Sequence, residues 1–234
     1  MGFLKKFTKQ EISWMMYDWA NSAHSVIVVT ILPIFFDSVA SCTADSVSSM
    51  STWGYATSIA MAIVALAAPF LGVFGDIRGM RKKLFTAFLL LGVVSVAGLA
   101  FTPLMDFASS TAVASKVAML VLVLYILSTI GFDASCIYYD AFLTDVTTED
   151  RMDSVSTLGY GLGYIGGSTI PLLIFLIMNA VGVPMLTSLA IIFAITAVWW
   201  LGFSLPLLKN CEQTTGKPYE KGDIGASIKK VFTT

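Results

Sequence analysis

The fold is decided by the first long apolar stretch of the sequence, WMMYDWANSAHSVIVVTILPIFF, which comprises residues 14–36. A helix needs about 20 predominantly apolar residues to cross the ~30 Å of hydrocarbon in a bilayer, and this stretch has that length. Its first half nevertheless carries polar side chains: Asp18, Asn21, Ser22, His24 and Ser25. We therefore expect a membrane-spanning helix with one polar face.

The composition extends this expectation to the whole chain. Of the 234 residues, 56% are hydrophobic and 12% are charged, about half the charged share of a soluble domain. Spans of sufficient length can be drawn at about 14–36, 53–75, 84–101, 117–143, 156–178 and 185–207. We predict an all-α membrane protein with six transmembrane helices in residues 14–207, between an N-terminal segment (1–13) and a polar segment (208–234).

Lysine and arginine are distributed unevenly between the two sides of these spans. With the N-terminus inside, Lys116 is the one basic residue in an external loop, and the other thirteen of the fourteen lie in internal segments. Basic residues are enriched on the cytoplasmic side of membrane proteins. Both termini are therefore expected in the cytoplasm.

Several classes of function lack their motifs here. Cys42, Cys136 and Cys211 fall in an external loop, a helix and the internal tail, there is no C-x-x-C, and there is one histidine, so neither a disulfide nor a metal site is expected. The absence of Gly-x-x-x-x-Gly-Lys-[Ser/Thr] argues against ATP use, and the absence of Gly-x-Ser-x-Gly argues against a serine protease. We expect no enzyme, no cofactor and no nucleic-acid partner. Proton or sodium coupling stays open.

The second and third spans are joined by the loop GVFGDIRGMRKK, residues 72–83. It resembles the signature of the major facilitator superfamily, a glycine, three residues, an aspartate and a basic pair around a second glycine, although Ile77 and Met80 replace usual basic residues. The matching residues are Gly72, Asp76, Gly79 and Arg81. A tight, positively charged internal loop would explain the bases but not Asp76. The resemblance implies a cytoplasmic gate, in which Gly72 lets helices approach closely and Asp76 pairs with Arg81 or a neighbouring helix end.

Two further stretches resemble a narrower group, the vacuolar amino-acid effluxer-like branch of that superfamily. They are YDWANSA at 17–23 and YYDAFLTDVTTEDRMDSVSTLGYGLGYIGG at 138–167. The resemblance implies the N-terminal half of a facilitator, built from two inverted three-helix repeats, in a transporter that exports amino acids by alternating access. We expect a plasma membrane, in bacteria the inner membrane, rather than a vacuolar membrane. We also expect a missing C-terminal six-helix half or a second six-helix chain as partner. An importer of a sugar or other small solute, or a non-transporting scaffold or sensor, is the alternative.

The polar face of the first span supplies three candidates for the solute or ion pathway, Asp18, Asn21 and His24. If the helix starts at Trp14, His24 lies ~15 Å along it, near the midplane where transporters hold their substrates. His24 would bind solute or relay a proton, or be a neutral side chain bonded to a neighbouring helix. Asp18 would contact solute or pair with Arg78 or another internal base.

The fourth span adds Asp133 and Asp140, seven residues apart and on one helix face. Asp133 would lie ~24 Å along a ~30 Å path, where a carboxylate is costly and therefore a functional candidate. It is expected to couple a cation or bind a substrate amine, or else to form a buried pair that fixes packing. Asp140 is assigned, with Glu149 and Arg151, to the cytoplasmic gate.

In the fifth span, Gly159, Gly163 and Gly167 recur every four residues and predict a bare stripe for close helix packing, with flexing as the alternative. The same glycines are not a dinucleotide site, because they lie inside a span with no preceding strand. The final IGASIKKVFTT begins a basic amphipathic helix. We expect it to lead to a seventh helix, which makes the chain the front half of a longer protein.

Overall fold

The computed structural model describes residues 6–43, 49–216 and 218, which form six long helices and no strand. The helices are α1 (Lys9–Ala40), α2 (Ser49–Gly75), α3 (Arg81–Leu99), α4 (Thr111–Val146), α5 (Glu149–Ala180) and α6 (Met185–Asn210). All six are long and apolar enough to cross a membrane. The predicted all-α class with six spans is confirmed, and each helix extends beyond its predicted span at one end or both.

The start of α1 shows why the helices are longer than their apolar stretches. The Thr8 side chain accepts a hydrogen bond from the Glu11 backbone N–H at 3.1 Å, and the Glu11 carboxylate accepts one from the Thr8 N–H at 2.7 Å. This capping box satisfies amides that a helix start leaves unpaired. The helix therefore begins at Lys9, five residues before the apolar stretch, and Asp18 lies ~14 Å along it.

Two of the helices widen into π-helical turns, at Ile27–Ile31 in α1 and at Gly163–Ser168 in α5. Each turn comes shortly before a proline, Pro33 and Pro171 respectively. Proline has no N–H, and its ring clashes with the carbonyl four residues earlier, so the regular hydrogen-bond ladder cannot continue through it. The wider turn accommodates this break without ending the helix.

Helices α1 and α4 lie at the centre of the bundle. Helix α1 packs against α4, α5 and α6, whereas α4 packs mainly against α2 and α3. Helices α3 and α4 cross where Gly131 meets the backbone of Gly92, and the Trp200 ring of α6 covers Gly92 from another side. These contacts leave no room for a side chain at either glycine, which is how small residues let helices pack closely.

The outer surface is apolar. Helix α2 exposes Tyr55, Ile59 and Leu66, and α5 exposes Ile165 and Ile177, each by 50% or more of its side-chain area. A soluble monomer rarely exposes so much contiguous apolar surface, whereas lipid or a further helix covers it without cost. Together with the helix lengths, this describes an integral membrane protein.

One end of the bundle collects the basic residues, and we call it the basic end. It is formed by residues 6–8, the turn 76–80, residues 147–151 and the segment 211–216, which lies across the helix ends. Gly79 adopts a left-handed φ of 80° in the turn, a conformation that favours glycine. The amphipathic helix expected from IGASIKKVFTT lies outside the described residues.

Candidate functional site

A cavity of about 670 Å³ lies between α1, α4 and α5. Small-molecule sites typically have volumes of about 300–1,000 Å³, so the cavity has the size of a solute site. Its wall consists of Asp18, Asn21, Ser22, Ser25 and Val26 from α1, Phe132, Cys136, Tyr139 and Asp140 from α4, and Tyr160, Tyr164, Ser168, Thr169, Leu172 and Leu173 from α5.

The cavity residues of α1 and α4 follow helical periodicity. Asp18, Ser22 and Ser25 have the i, i+4, i+7 spacing of one helix face, and residues 132, 136 and 139 of α4 have the same spacing. Each helix therefore presents a stripe to the cavity while its other faces pack into the bundle.

The Asp18 carboxylate is held by Tyr139. The tyrosine hydroxyl donates a hydrogen bond to Asp18 Oδ2 at 2.8 Å. The Tyr139 ring stacks on Trp14 with centroids 4.3 Å apart, and Trp14 Nε1 donates to the Tyr139 carbonyl at 2.8 Å. Because Tyr139 of α4 is held against Trp14 of α1, the packing of these two helices fixes the position of the Asp18 carboxylate.

The described wall of the cavity is acidic. It holds two carboxylates, that of Asp18 on α1 and that of Asp140 on α4, and Asp140 is the chain neighbour of Tyr139, which bonds Asp18. No lysine, arginine or histidine is among the described residues that line it. The remaining polar groups are hydroxyls, the Asn21 amide and the Cys136 thiol, so the negative charge is not compensated locally.

Arg81 is the centre of a separate cluster at the basic end. Its guanidinium forms an ion pair with Asp145, donates to the Ala141 carbonyl at 2.8 Å, and lies 3.7 Å from Asp76. The side chains of Arg81 and Asp145 are 5% and 0% exposed, whereas that of Asp76 is 80% exposed. The pair with Asp145 therefore carries most of the interaction, and the pair with Asp76 is a surface contact.

The segment after α6 completes this cluster. Asp145 Oδ1 accepts hydrogen bonds from the backbone N–H and the hydroxyl of both Thr214 and Thr215, at 2.8 to 2.9 Å. The Gln213 side chain accepts from the Gly79 N–H at 2.8 Å and donates to the Gly75 carbonyl at 3.0 Å. The segment thereby ties the α2–α3 turn to the end of α4.

A second ion pair joins the starts of α1 and α5. Arg151 contacts both carboxylate oxygens of Glu11, with Nε–Oε1 2.8 Å and Nη2–Oε2 2.9 Å apart, and Thr147 donates to the same carboxylate at 2.6 Å. Glu11 is 1% exposed. Two-point contacts of this kind fix geometry as well as charge.

Comparison with known proteins identifies the family. The sequence model described as vacuole effluxer Atg22 like matches residues 7–234. The chain belongs to this Atg22-like family. It is also similar to an uncharacterized MFS-type transporter, YxiO, of Bacillus subtilis (strain 168), with 43% identity over 218 residues. The alignment covers 90% of the chain and 48% of that protein, so the chain spans about half the length of the curated relative. No solved structure matches the chain.

The family resemblance predicted from the sequence is thus confirmed, and the helical bundle agrees with half of a facilitator fold. Within this Atg22-like bundle, Asp18 and Asn21 line the cavity, as does Asp140. Asp140 was expected at the gate with Glu149 and Arg151. It lines the cavity, six residues or about 9 Å before Val146, the last residue of α4, and its part in the gate stays a prediction.

Two other predicted contacts differ in the structure. Asp18 bonds Tyr139 rather than Arg78, because α1 begins at Lys9 and places Asp18 beyond the reach of the turn. Gly72 brings no described helix close, since no described atom lies within 4 Å of a Cβ built there. Helix α2 lies at the periphery of the bundle, where it packs mainly against α4. Glu149 is exposed in a short 3₁₀ turn.

His24 and Asp133 lie outside the cavity wall. His24 is 3% exposed and stacks on Phe132 and Trp200, with centroids 4.7 and 4.8 Å away. Neither of its ring nitrogens has a hydrogen-bond partner in the described part of the chain, and neither does Asp133 Oδ2. His24 is therefore a buried polar side chain, and Asp133 a partly buried one with a buried carboxylate oxygen, and neither group has a hydrogen-bond partner among the described residues.

The glycine stripe of α5 lies against α1. A Cβ at Gly159 would be 2.7 Å from Asp18 Oδ2, one at Gly163 2.6 Å from Ser22 Oγ, and one at Gly167 2.5 Å from the Trp19 carbonyl. The stripe therefore brings α5 next to the polar face of α1 and forms one edge of the cavity.

Sequence reasoning missed Tyr139, Asp145 and Gln213, which organise the site and the basic end. Tyr139 shares a helix stripe with Phe132 and Cys136, and that spacing was visible in the sequence. Asp145 and Gln213 lie 64 and 132 residues from Arg81 along the chain. No local pattern connects positions so far apart.

Proposed function

We propose that this chain is the N-terminal half of a secondary transporter that binds a small solute in the cavity and moves it by alternating access. The observation that carries the proposal is a solute-sized cavity with two carboxylates and several other polar side chains in its wall, between apolar helices. Polar groups inside a membrane are costly and mark transport pathways. Asp18 to Ser25 lie about 14–24 Å along α1, a helix about 48 Å long, so the cavity is near its middle.

The other wall of the pathway is proposed to come from a C-terminal six-helix half or from a second six-helix chain. The chain spans about half the length of its curated relative, which supports this arrangement. The apolar faces of α2 and α5 are available for such contacts and for lipid. Rocking of two halves about a central site would open the cavity to each side in turn.

The proposed direction is export, since the family description names a vacuole effluxer. The proposed solutes are amino acids, as the resemblance seen in the sequence implies. Import of a sugar or another small solute is the competing proposal. Asp133 is proposed to couple transport to protons or sodium, because its buried, unpaired carboxylate oxygen is available for a cation.

The test is uptake and efflux of labelled amino acids in proteoliposomes that hold the full-length protein, with and without pH and sodium gradients. Asp18→Asn is expected to abolish flux, and Asp133→Asn to abolish its dependence on the gradient. Asp106→Asn, in an exposed loop at the opposite end from the basic end, is the matched control. Gradient dependence retained in Asp133→Asn would remove Asp133 from the mechanism. Flux of sugars without flux of amino acids would favour the competing proposal.

A further inference from the structure

We infer that the cavity selects amphipathic cations: molecules with an ammonium-type head and an apolar body. This inference rests on the proposed function, in that it takes the cavity as the solute site. It is carried by the order of the side chains along the three lining helices.

The cavity has an acidic side and an apolar side. Helices α1 and α5 begin at the basic end, and α4 ends there. The acidic and aromatic residues Asp18, Asp140 and Tyr160 are therefore the lining residues nearest that end. Each helix reaches an apolar lining residue eight to twelve positions away, about 12–18 Å along the helix: Val26, Phe132 and Leu172.

The acidic side has no cation of its own. The two arginines in the ion pairs of the basic end are already occupied, Arg81 with Asp145 and Arg151 with Glu11. Asp18 receives one hydrogen bond, from Tyr139, and Asp140 forms no ion pair with a described residue. Two neighbouring carboxylates without a counter-charge attract a cationic head and repel an anionic one.

An aromatic surface adjoins the carboxylates. Tyr160 and Tyr164 lie one turn apart on the α5 wall, with hydroxyls 3.1 Å and ring centroids 4.8 Å apart. Their side chains are 63% and 59% exposed. Tyrosine faces attract ammonium groups that lie within about 6 Å. Carboxylates and open aromatic rings together recognise an organic ammonium better than a bare metal ion.

The volume of the cavity favours an organic ammonium ion over an inorganic cation. One water molecule occupies about 30 Å³, so an inorganic cation would fill a small part of the 670 Å³ cavity. The remaining space is bounded on the far side by Val26, Phe132, Leu172 and Leu173. An apolar body attached to the head would bury these side chains and displace water from them.

Cys136 offers a native reporter, since it lies in the wall between the acidic and apolar sides. In the full-length protein with its other cysteines replaced by serine, we would measure modification of Cys136 by methanethiosulfonate reagents. The reagents are cationic (ethylammonium), anionic (ethylsulfonate) and neutral (methyl). Relative to a free thiol, the cationic reagent is expected to be favoured over the anionic one by about tenfold or more.

Asp18→Asn and Asp140→Asn are each expected to reduce this ratio, and Asp106→Asn is expected to leave it unchanged. A ratio equal to that of a free thiol, or one that neither cavity variant changes, would overturn the inference.

Protection of Cys136 by added ligands distinguishes recognition of the ammonium head from recognition of the apolar body. Hexylammonium is expected to slow modification by the neutral reagent at a concentration where hexanoate and sodium chloride do not. Equal protection by sodium chloride would mean that charge alone is recognised, and would overturn the amphipathic specificity. Protection in the absence of any measured flux would support the inference and contradict the proposed transport. Flux without protection would support the proposed transport and contradict the inference.

Discussion

Tyr139 is the residue on which the geometry of the cavity depends most directly. Its hydroxyl bonds Asp18, its ring stacks on Trp14, and its carbonyl accepts from the Trp14 indole. Its neighbour Tyr138 also donates a hydrogen bond, to the Leu71 carbonyl at 3.1 Å, but on the side of α4 that faces α2. The two adjacent tyrosines therefore form a matched pair of positions, one inside the site and one outside it.

Tyr139→Phe removes the hydroxyl and keeps the stacked ring. We expect it to weaken solute binding by about tenfold or more, because a hydrogen bond to a charged group contributes about 1.5–3 kcal/mol and its loss frees the Asp18 carboxylate. Tyr138→Phe, which loses a hydrogen bond to a neutral carbonyl, is expected to leave binding unchanged. Equilibrium binding of a labelled solute to the purified full-length protein provides the measurement. Equal losses in both variants would assign Tyr139 a purely structural role.

Arg81 and Arg78 belong to the same turn region but differ in burial, since Arg81 is buried and Arg78 is exposed. Arg81→Ala is expected to destabilise the protein by about 3–5 kcal/mol, because it leaves the buried Asp145 without its counter-charge. Arg78→Ala is expected to change stability by less than about 0.5 kcal/mol. Thermal unfolding in detergent compares the two variants with the parent. Similar unfolding temperatures for both variants would contradict the assigned importance of the Arg81–Asp145 pair.

At the scale of elements, the contact between α1 and α5 defines one edge of the cavity, and it depends on the absence of side chains on α5. At Gly167 the neighbouring atom is a backbone carbonyl, that of Trp19, which cannot move aside as a side chain can. At Gly161, on the same helix, no described atom lies within 4 Å of an added Cβ. Substitution at Gly167 therefore tests the packing of α5 against α1, whereas substitution at Gly161 tests helix propensity alone.

Gly167→Ala is expected to cost about 1–3 kcal/mol, because the added methyl group pushes α5 away from α1. Gly161→Ala is expected to be neutral or to stabilise the helix by up to about 1 kcal/mol, through the higher helix propensity of alanine. Unfolding temperature in detergent and the rate of Cys136 modification report the two effects. A stable Gly167→Ala variant with unchanged Cys136 reactivity would show that this contact is not required.

At the scale of the whole molecule, the basic end is expected in the cytoplasm. The native Cys42 tests this orientation, and Cys211 serves as an unreactive comparison. Cys42 follows α1 at the opposite end and is partly exposed. Cys211 lies at the basic end, where burial raises the pKa of its thiol to about 12. Because the thiolate is the reactive form, Cys211 keeps its proton at neutral pH and reacts slowly on either side of the membrane.

In intact cells, a membrane-impermeant maleimide is expected to label Cys42 and not Cys211. Permeabilisation should leave Cys211 unlabelled at pH 7 to 8, and denaturation should expose it. Single-cysteine versions of the full-length protein separate the two signals. Labelling of Cys42 only after permeabilisation would reverse the predicted orientation.

The sequence by itself determined the number of helices, their order and the end at which the basic residues collect. These properties are local, because each span in a membrane must be apolar along its own length and must satisfy its own backbone hydrogen bonds. The spacing of the polar residues in the first helix likewise predicted a polar face, and both Asp18 and Asn21 of that face lie in the cavity wall. Even the helix stripe of α4 was present in the spacing of its residues.

Only the tertiary structure decided which of these side chains meet. Asp133 and Asp140 share one face of α4, yet Asp140 lines the cavity and Asp133 does not, although its neighbour Phe132 does. The partners of Arg81, Asp18 and Gly167 lie on other helices, 64, 121 and 148 residues away. Such contacts depend on the rotation and crossing of helices, which arise from the packing of the whole bundle and leave no local pattern in the sequence.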